Sequence, residues 1–214
     1  MKFERFGKKI GLDVKKFRVS CGVKPEKRDK KQLRDFVMDG KSLRKGGPFY
    51  LIYRKVKRLG DIEYDLTLIR NGFMGREYVR TMGHNHPRRY GELYEVLYGR
   101  AAFLIQPKNM SKFVMVTAGA GQGVMIPPRC GHQTANIGKT PLLIGNLVYS
   151  KFRPDYSEYK KRHGGAYYLT KGLKLVGNDN YPKHPKVVRK RAIKKNLDEL
   201  FTKTPRLVNM ILNG

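Results

Sequence analysis

The chain has 214 residues, 40% of them hydrophobic, enough for one sizeable core with some appended structure. No stretch approaches the ~18 uninterrupted apolar residues of a membrane span. The opening MKFERFGKKIGLD lacks an apolar signal core, and Cys21 and Cys130 are too few for a disulfide framework. A cytoplasmic protein without membrane contact is expected. The net charge of +29 sits mostly outside the middle of the chain: residues 1–60 carry 20 Lys and Arg against 6 Asp and Glu, residues 61–150 carry 10 against 6, and residues 151–214 carry 16 against 5. Clusters such as Lys27-Arg28-Asp29-Lys30-Lys31, Arg54-Lys55-Val56-Lys57-Arg58 and Arg189-Lys190-Arg191 attract polyanions through counterion release. Nucleic acid is thus an admissible partner, and a phosphorylated metabolite would also be concentrated.

In chain order, residues 1–48 form a basic extension expected to pack on the central unit of the chain. Within it KPEKRDKKQLRDFVM (24–38) places Leu33, Phe36 and Val37 at helical spacing, which predicts a short amphipathic helix. Residues 49–169 form the central unit. Up to about Tyr149 they hold recurring β-type runs, FYLIYRKV, YDLTLIR, REYVRTM, ELYEVLY, AAFLIQ, KFVMVT, GVMIP and LLIGNLVY, separated by glycine-rich or polar turns. Such spacing without helical patterns between the runs predicts a mainly β sandwich or barrel. AYYL adds one more strand, and NDNYPKHPK breaks the pattern. Residues 170–214 form a basic, partly helical extension: Val188, Ala192, Leu197, Leu200 and Phe201 approximate one helical face, with a second short turn after Pro205.

Two segments carry the chemistry, GHNHPRRYGELYEVLYG (83–99) and IPPRCGHQTANIG (126–138). On an extended strand residues i and i+2 share a face, so His84 and His86 can present both imidazoles to one cation. Glu92 opens the next strand and brings a carboxylate back beside them, and His132 completes the set from the second segment. Three imidazoles and one carboxylate suit Fe(II), Mn(II), Zn(II), Co(II) or Ni(II) and not the all-oxygen shells of Ca²⁺ or Mg²⁺. Cys130, beside this set, reads as a packing residue.

TMGHNHPRRYGELYEVLYGRAAFLIQ (81–106) and VMIPPRCGHQTANIGKTPLLIGNLVY (124–149) resemble the archaeal cupin-type glucose-6-phosphate isomerases, with weaker similarity in DIEYDLTLIRNGFMGREYVR (61–80). The resemblance implies a cupin barrel, a jelly-roll or double-stranded β-helix, with short N- and C-terminal helical extensions. It implies one divalent transition metal per subunit, Fe(II) foremost, held by His84, His86, Glu92 and His132. Glu92 would also act catalytically, moving a proton between C1 and C2 of a sugar phosphate through an enediol-type intermediate; a metal-assisted hydride shift is the other route. Thr67, Thr81 and Gly83 match the phosphate end of the pocket, Tyr94 matches a sugar contact, and Tyr149 and Tyr156 complete the expected substrate-binding set. A homodimer is implied as well.

The chain departs from the family pattern in three places. Pro154 stands in FRPDY where the family has a histidine that assists ring opening, with His163 as the nearest replacement in sequence. The tyrosine before it is displaced by one residue, so Val148 takes the matching position and Tyr149 comes next; on a strand this reverses the face unless a bulge intervenes. Arg129 and Cys130 replace an aromatic pair, and Arg129 is expected to face phosphate. The departures leave two further readings, an isomerase of another sugar or sugar phosphate and a cupin without isomerase activity that serves as an RNA-binding or assembly protein.

Overall fold

The computed structural model describes residues 1–43, 46–86, 89–194 and 196–213. Two β-sheets face each other. The larger has seven strands in the order Ile193–Lys194, Gln122–Ile126, Glu92–Tyr98, Leu142–Tyr149, Ile62–Ile69, Tyr50–Leu59 and Glu26–Arg28. The smaller has five, in the order Val187–Arg191, Phe113–Gly119, Arg100–Pro107, Cys130–Asn136 and His84–Asn85. All neighbours are antiparallel except Phe113–Gly119 with Val187–Arg191. Consecutive strands Glu92–Tyr98 and Arg100–Pro107 lie in different sheets, as do Gln122–Ile126 and Cys130–Asn136, which is the jelly-roll pattern of a cupin barrel.

Strand alternation sorts side chains between the barrel interior and the outer faces. Ile52, Tyr94, Val96, Phe103, Ile105 and Ile144 meet between the sheets. The outer face of the larger sheet is also buried. Tyr64, Leu66, Leu68 and Leu147 pack there beneath the N-terminal hairpin strands Lys2–Arg5, Lys8–Asp13 and Arg18–Ser20 and the C-terminal helices Leu197–Lys203 and Pro205–Asn213. Ile62–Ile69 is consequently buried at every position. On the smaller sheet, Ala102, Leu104 and Phe113 pack beneath Ala166, Leu169 and Tyr181.

Both extensions differ from the sequence expectation. The helix expected over 24–38 reduces to Lys30–Leu33, capped by Asp29, and a 3₁₀ turn at Arg34–Phe36, because Glu26–Arg28 is captured as an edge strand by residues 50–52. Val188 is not helical either. Val187–Arg191 pairs with residues 113–117, so helix begins only at Leu197. The segment REYVRTM contributes only the two-residue strand Glu77–Tyr78. The second metal segment, by contrast, is a full seven-residue strand, Cys130–Asn136.

Candidate metal centre

His84 and His132 are directly opposite in the register of their two strands, which points both imidazoles into the same end of the barrel. Glu92 begins a strand of the other sheet and approaches from across the interior. Gly83 has φ of +86°, and a side chain there would run into Gln133 and come within 2.6 Å of the Tyr159 ring. The ring of Tyr159, from the helix Ser157–Lys161, is buried against this glycine and against Gly131, immediately before His84 and His132. Absence of Cβ at both positions lets the aromatic ring press on the ligand strands. The close approach at Gly83 is therefore made by the protein itself, although Gly83 also lines the cavity.

The three His Nε2 atoms converge on Glu92 Oε2. His86 and His132 lie 3.1 Å from it and His84 3.8 Å, while His84 and His132 Nε2 are 3.2 Å apart. All four donor atoms lie within 4.8 Å of one another. Two donors each about 2.1 Å from a shared ion at right angles are about 3 Å apart, so these separations fit a single first-row divalent cation. His86 Nε2 is buried and makes no hydrogen bond despite its distance to the carboxylate. On the opposite side of its ring, Nδ1 lies 3.0 Å from the Tyr90 carbonyl. A carbonyl only accepts, so Nδ1 carries the proton and Nε2 presents its lone pair, the usual orientation of a metal-ligating histidine.

The charge state agrees. Burial holds His84 well below the usual imidazole range, and the neighbouring His132 adds to the effect. His132 is lowered by burial against the opposing pull of Glu92. For Glu92, burial acts upward, but the close approach of His132 and His86 outweighs it and holds the carboxyl well below its ordinary range. Neutral imidazoles around an ionised carboxylate are what a divalent cation requires.

Both oxygens of Glu92 are also held. The Tyr94 hydroxyl donates to Oε2 at 3.0 Å and Asn146 Nδ2 donates to Oε1 at 3.0 Å. Burial, then the charge of Glu92, push the Tyr94 hydroxyl well up, which keeps it a donor at neutral pH. Asn146 is not among the residues expected from the sequence: the amide interrupts the mostly apolar run LLIGNLVY, but its inward direction follows only from the strand's place in the sheet.

A cavity of about 70 Å³ adjoins the cluster. Thr67, Thr81, Tyr94 and Tyr156 line it together with Tyr50, Arg54 and Asn146. Thr81 Oγ1 accepts from the Thr134 amide at 3.0 Å. Tyr156 stands edge-on to His84, with ring centroids 5.6 Å apart. Phe152 lies against His84 and His86 at 5.6 and 4.9 Å, and Pro154 lines the cavity with it. A water occupies ~30 Å³ and ligand pockets usually exceed ~300 Å³, so the cavity as it stands has room for water and not for a whole sugar phosphate.

Two expectations are corrected. Tyr149 does not line the cavity: Leu142–Tyr149 keeps unbroken register with Ile62–Ile69, Val148 takes the inward position, and Tyr149 packs on Tyr90 at 5.2 Å. Arg129 is exposed on the outside, near Lys108 and Asn85, and faces no part of the cavity. His163 is exposed in a turn, as a solvated loop histidine would be, and is not among the residues lining the cavity.

A jelly-roll barrel with three inward imidazoles and one inward carboxylate defines the chain as a cupin with a candidate metal centre. A family model described as glucose-6-phosphate isomerase matches residues 48–186. The glucose-6-phosphate isomerase of Thermococcus gammatolerans is 27% identical over 192 residues, covering 85% of this chain and 99% of the relative. That of Thermococcus onnurineus is 26% identical over 185 residues, covering 82% and 95%. The chain belongs to the glucose-6-phosphate isomerase family, in its archaeal cupin-type branch, and is by that membership an aldose–ketose isomerase.

Proposed function

We propose that the protein is a divalent-metal-dependent glucose-6-phosphate isomerase, interconverting glucose 6-phosphate and fructose 6-phosphate at the cluster His84, His86, Glu92 and His132. The observation that carries this reading is the convergence of four donor atoms beside an interior cavity in a chain of this family. A bound divalent ion would supply Lewis-acid polarisation of the substrate's oxygens. The protein's own part is proton handling and positioning. Glu92, ionised and fixed by Tyr94 and Asn146, is the group to carry a proton between C2 and C1 through an enediol-type intermediate. Thr67, Thr81 and the Gly83 backbone would hold the phosphate end, and Tyr156 the sugar. Fe(II) is the first choice of metal. The proposal extends to a cytoplasmic homodimer in which residues 1–48 and 170–214 act as extensions of a 49–169 barrel.

The test is conversion of fructose 6-phosphate by the purified protein loaded in turn with Fe(II), Mn(II), Zn(II), Co(II) and Ni(II), beside Glu92→Gln. Turnover with at least one metal, reduced at least about 100-fold in the variant, is the expected outcome. Stoichiometric metal binding without turnover in any form would overturn the assignment.

A further inference from the structure

Arg54 is the one lysine or arginine among the described residues that line the interior cavity. The strand Tyr50–Leu59 brings it there. Tyr50 and Ile52 point inward, Ile52 lies opposite Thr67 in the register, and Arg54 is the next inward residue along the strand. Directly after it the strand bulges, since regular pairing with Ile62–Ile69 stops at Tyr53 and resumes at Lys57. Within the bulge Lys55 has φ of +55°, a left-handed conformation that a lysine adopts only at a cost.

Asp65 holds this irregularity in place. It is 2% exposed, accepts from the Lys55 amide at 2.6 Å through Oδ1 and from Arg54 Nη1 at 3.1 Å through Oδ2. Bulges re-aim side chains beside functional sites, and here the buried carboxylate fixes both the bulge and the guanidinium. The Arg54 side chain remains 40% exposed, against 15% for His84 and at most 5% for His86, Glu92 and His132. The arginine is thus more open to solvent than the metal cluster on the same cavity wall. Its other carboxylate neighbour, Glu26, is 3.5 Å from Nε and largely solvated, so an incoming anion can displace it.

A hexose phosphate bound with its reacting carbons at the cluster directs its phosphoryl group away from that cluster. Bringing a phosphate dianion out of water requires charge-assisted donors, and a guanidinium supplies them bidentately where threonine hydroxyls alone do not. We infer that Arg54 is the cationic contact for the substrate's phosphoryl group, positioned by Asp65 through the bulge at Lys55. The inference rests on the sugar-phosphate reading of the site. It makes Arg54 a specificity-determining residue, selecting phosphorylated over free sugars.

The test compares wild type with Arg54→Gln, Arg54→Lys and the double variant Arg54→Gln/Asp65→Asn, which removes the buried carboxylate that the single variant leaves unpaired. Steady-state kinetics on fructose 6-phosphate should show KM raised about 10- to 100-fold in Arg54→Gln and in the double variant, partial recovery in Arg54→Lys, and little change in kcat. Calorimetric titration with inorganic phosphate should show the same order of weakening, with stoichiometry and metal content unchanged. A KM and phosphate affinity within twofold of wild type in the folded double variant would overturn the inference while leaving the isomerase reading intact. Arg54-dependent phosphate binding by a protein with no turnover would do the reverse.

Discussion

Residue by residue, the candidate centre depends as much on missing side chains as on ligands. Gly83 combines a left-handed backbone with contact against Gln133 and Tyr159 directly before His84. Gly83→Ala should destabilise the fold by about 2–4 kcal/mol, from the positive φ together with overpacking, and should weaken metal binding because His84 shifts with it. Denaturant unfolding and metal titration on the same sample check both parts. Unchanged stability would mean that Tyr159 moves aside freely. The clustering of the four candidate side chains was legible in the sequence because the alternation of His84 and His86 in extended chain is a local pattern. Asn146 and Arg54 were not, because their direction depends on which face of a strand is inside the barrel, and that follows from pairing across the sheet.

Among the elements, the strand Leu142–Tyr149 shows how one position changes a residue's role. Its register with Ile62–Ile69 runs without a break from Leu142 to Tyr149, so Asn146 and Val148 face the cavity and Tyr149 faces away. Tyr149→Phe should leave KM for fructose 6-phosphate within about twofold, in line with a surface change. Tyr156→Phe removes a hydroxyl from the cavity wall and should raise KM several-fold, by about the ~1 kcal/mol of one hydrogen bond. Equal effects of the two variants in parallel kinetics would contradict the placement of Tyr149. The segment after this strand matters as well, since it contributes Phe152, Pro154 and Tyr156 to the cavity wall; among the described residues His84 and His132 are the histidines that line it.

Across the molecule as a whole, the termini complete the barrel. Leu197, Val208 and Leu212, each at most 1% exposed, cover the outer face of the larger sheet together with Phe6, Ile10 and Leu12. Leu212→Ala should cost about 2–4 kcal/mol, a core-sized loss from a residue close to the end of the chain, measurable as a lowered urea midpoint. A change below about 0.5 kcal/mol would show that the last helix contributes nothing to the core. The basic character of the extensions has a local physical use: Val187–Arg191 is an edge strand, and exposed Arg189, Lys190 and Arg191 along it oppose pairing with a second edge.

The mainly β barrel and the grouping of His84, His86, Glu92 and His132 could be read from the sequence alone, because strand alternation and ligand chemistry are written within a few residues of each position. It took the folded chain to establish that Val148 and not Tyr149 faces the cavity, that Arg54 enters it beside a bulge held by Asp65, and that Glu26–Arg28 and Val187–Arg191 are strands. Each of these depends on pairing with residues distant in the chain, and such pairing overrides local helical spacing whenever a sheet edge offers backbone hydrogen bonds.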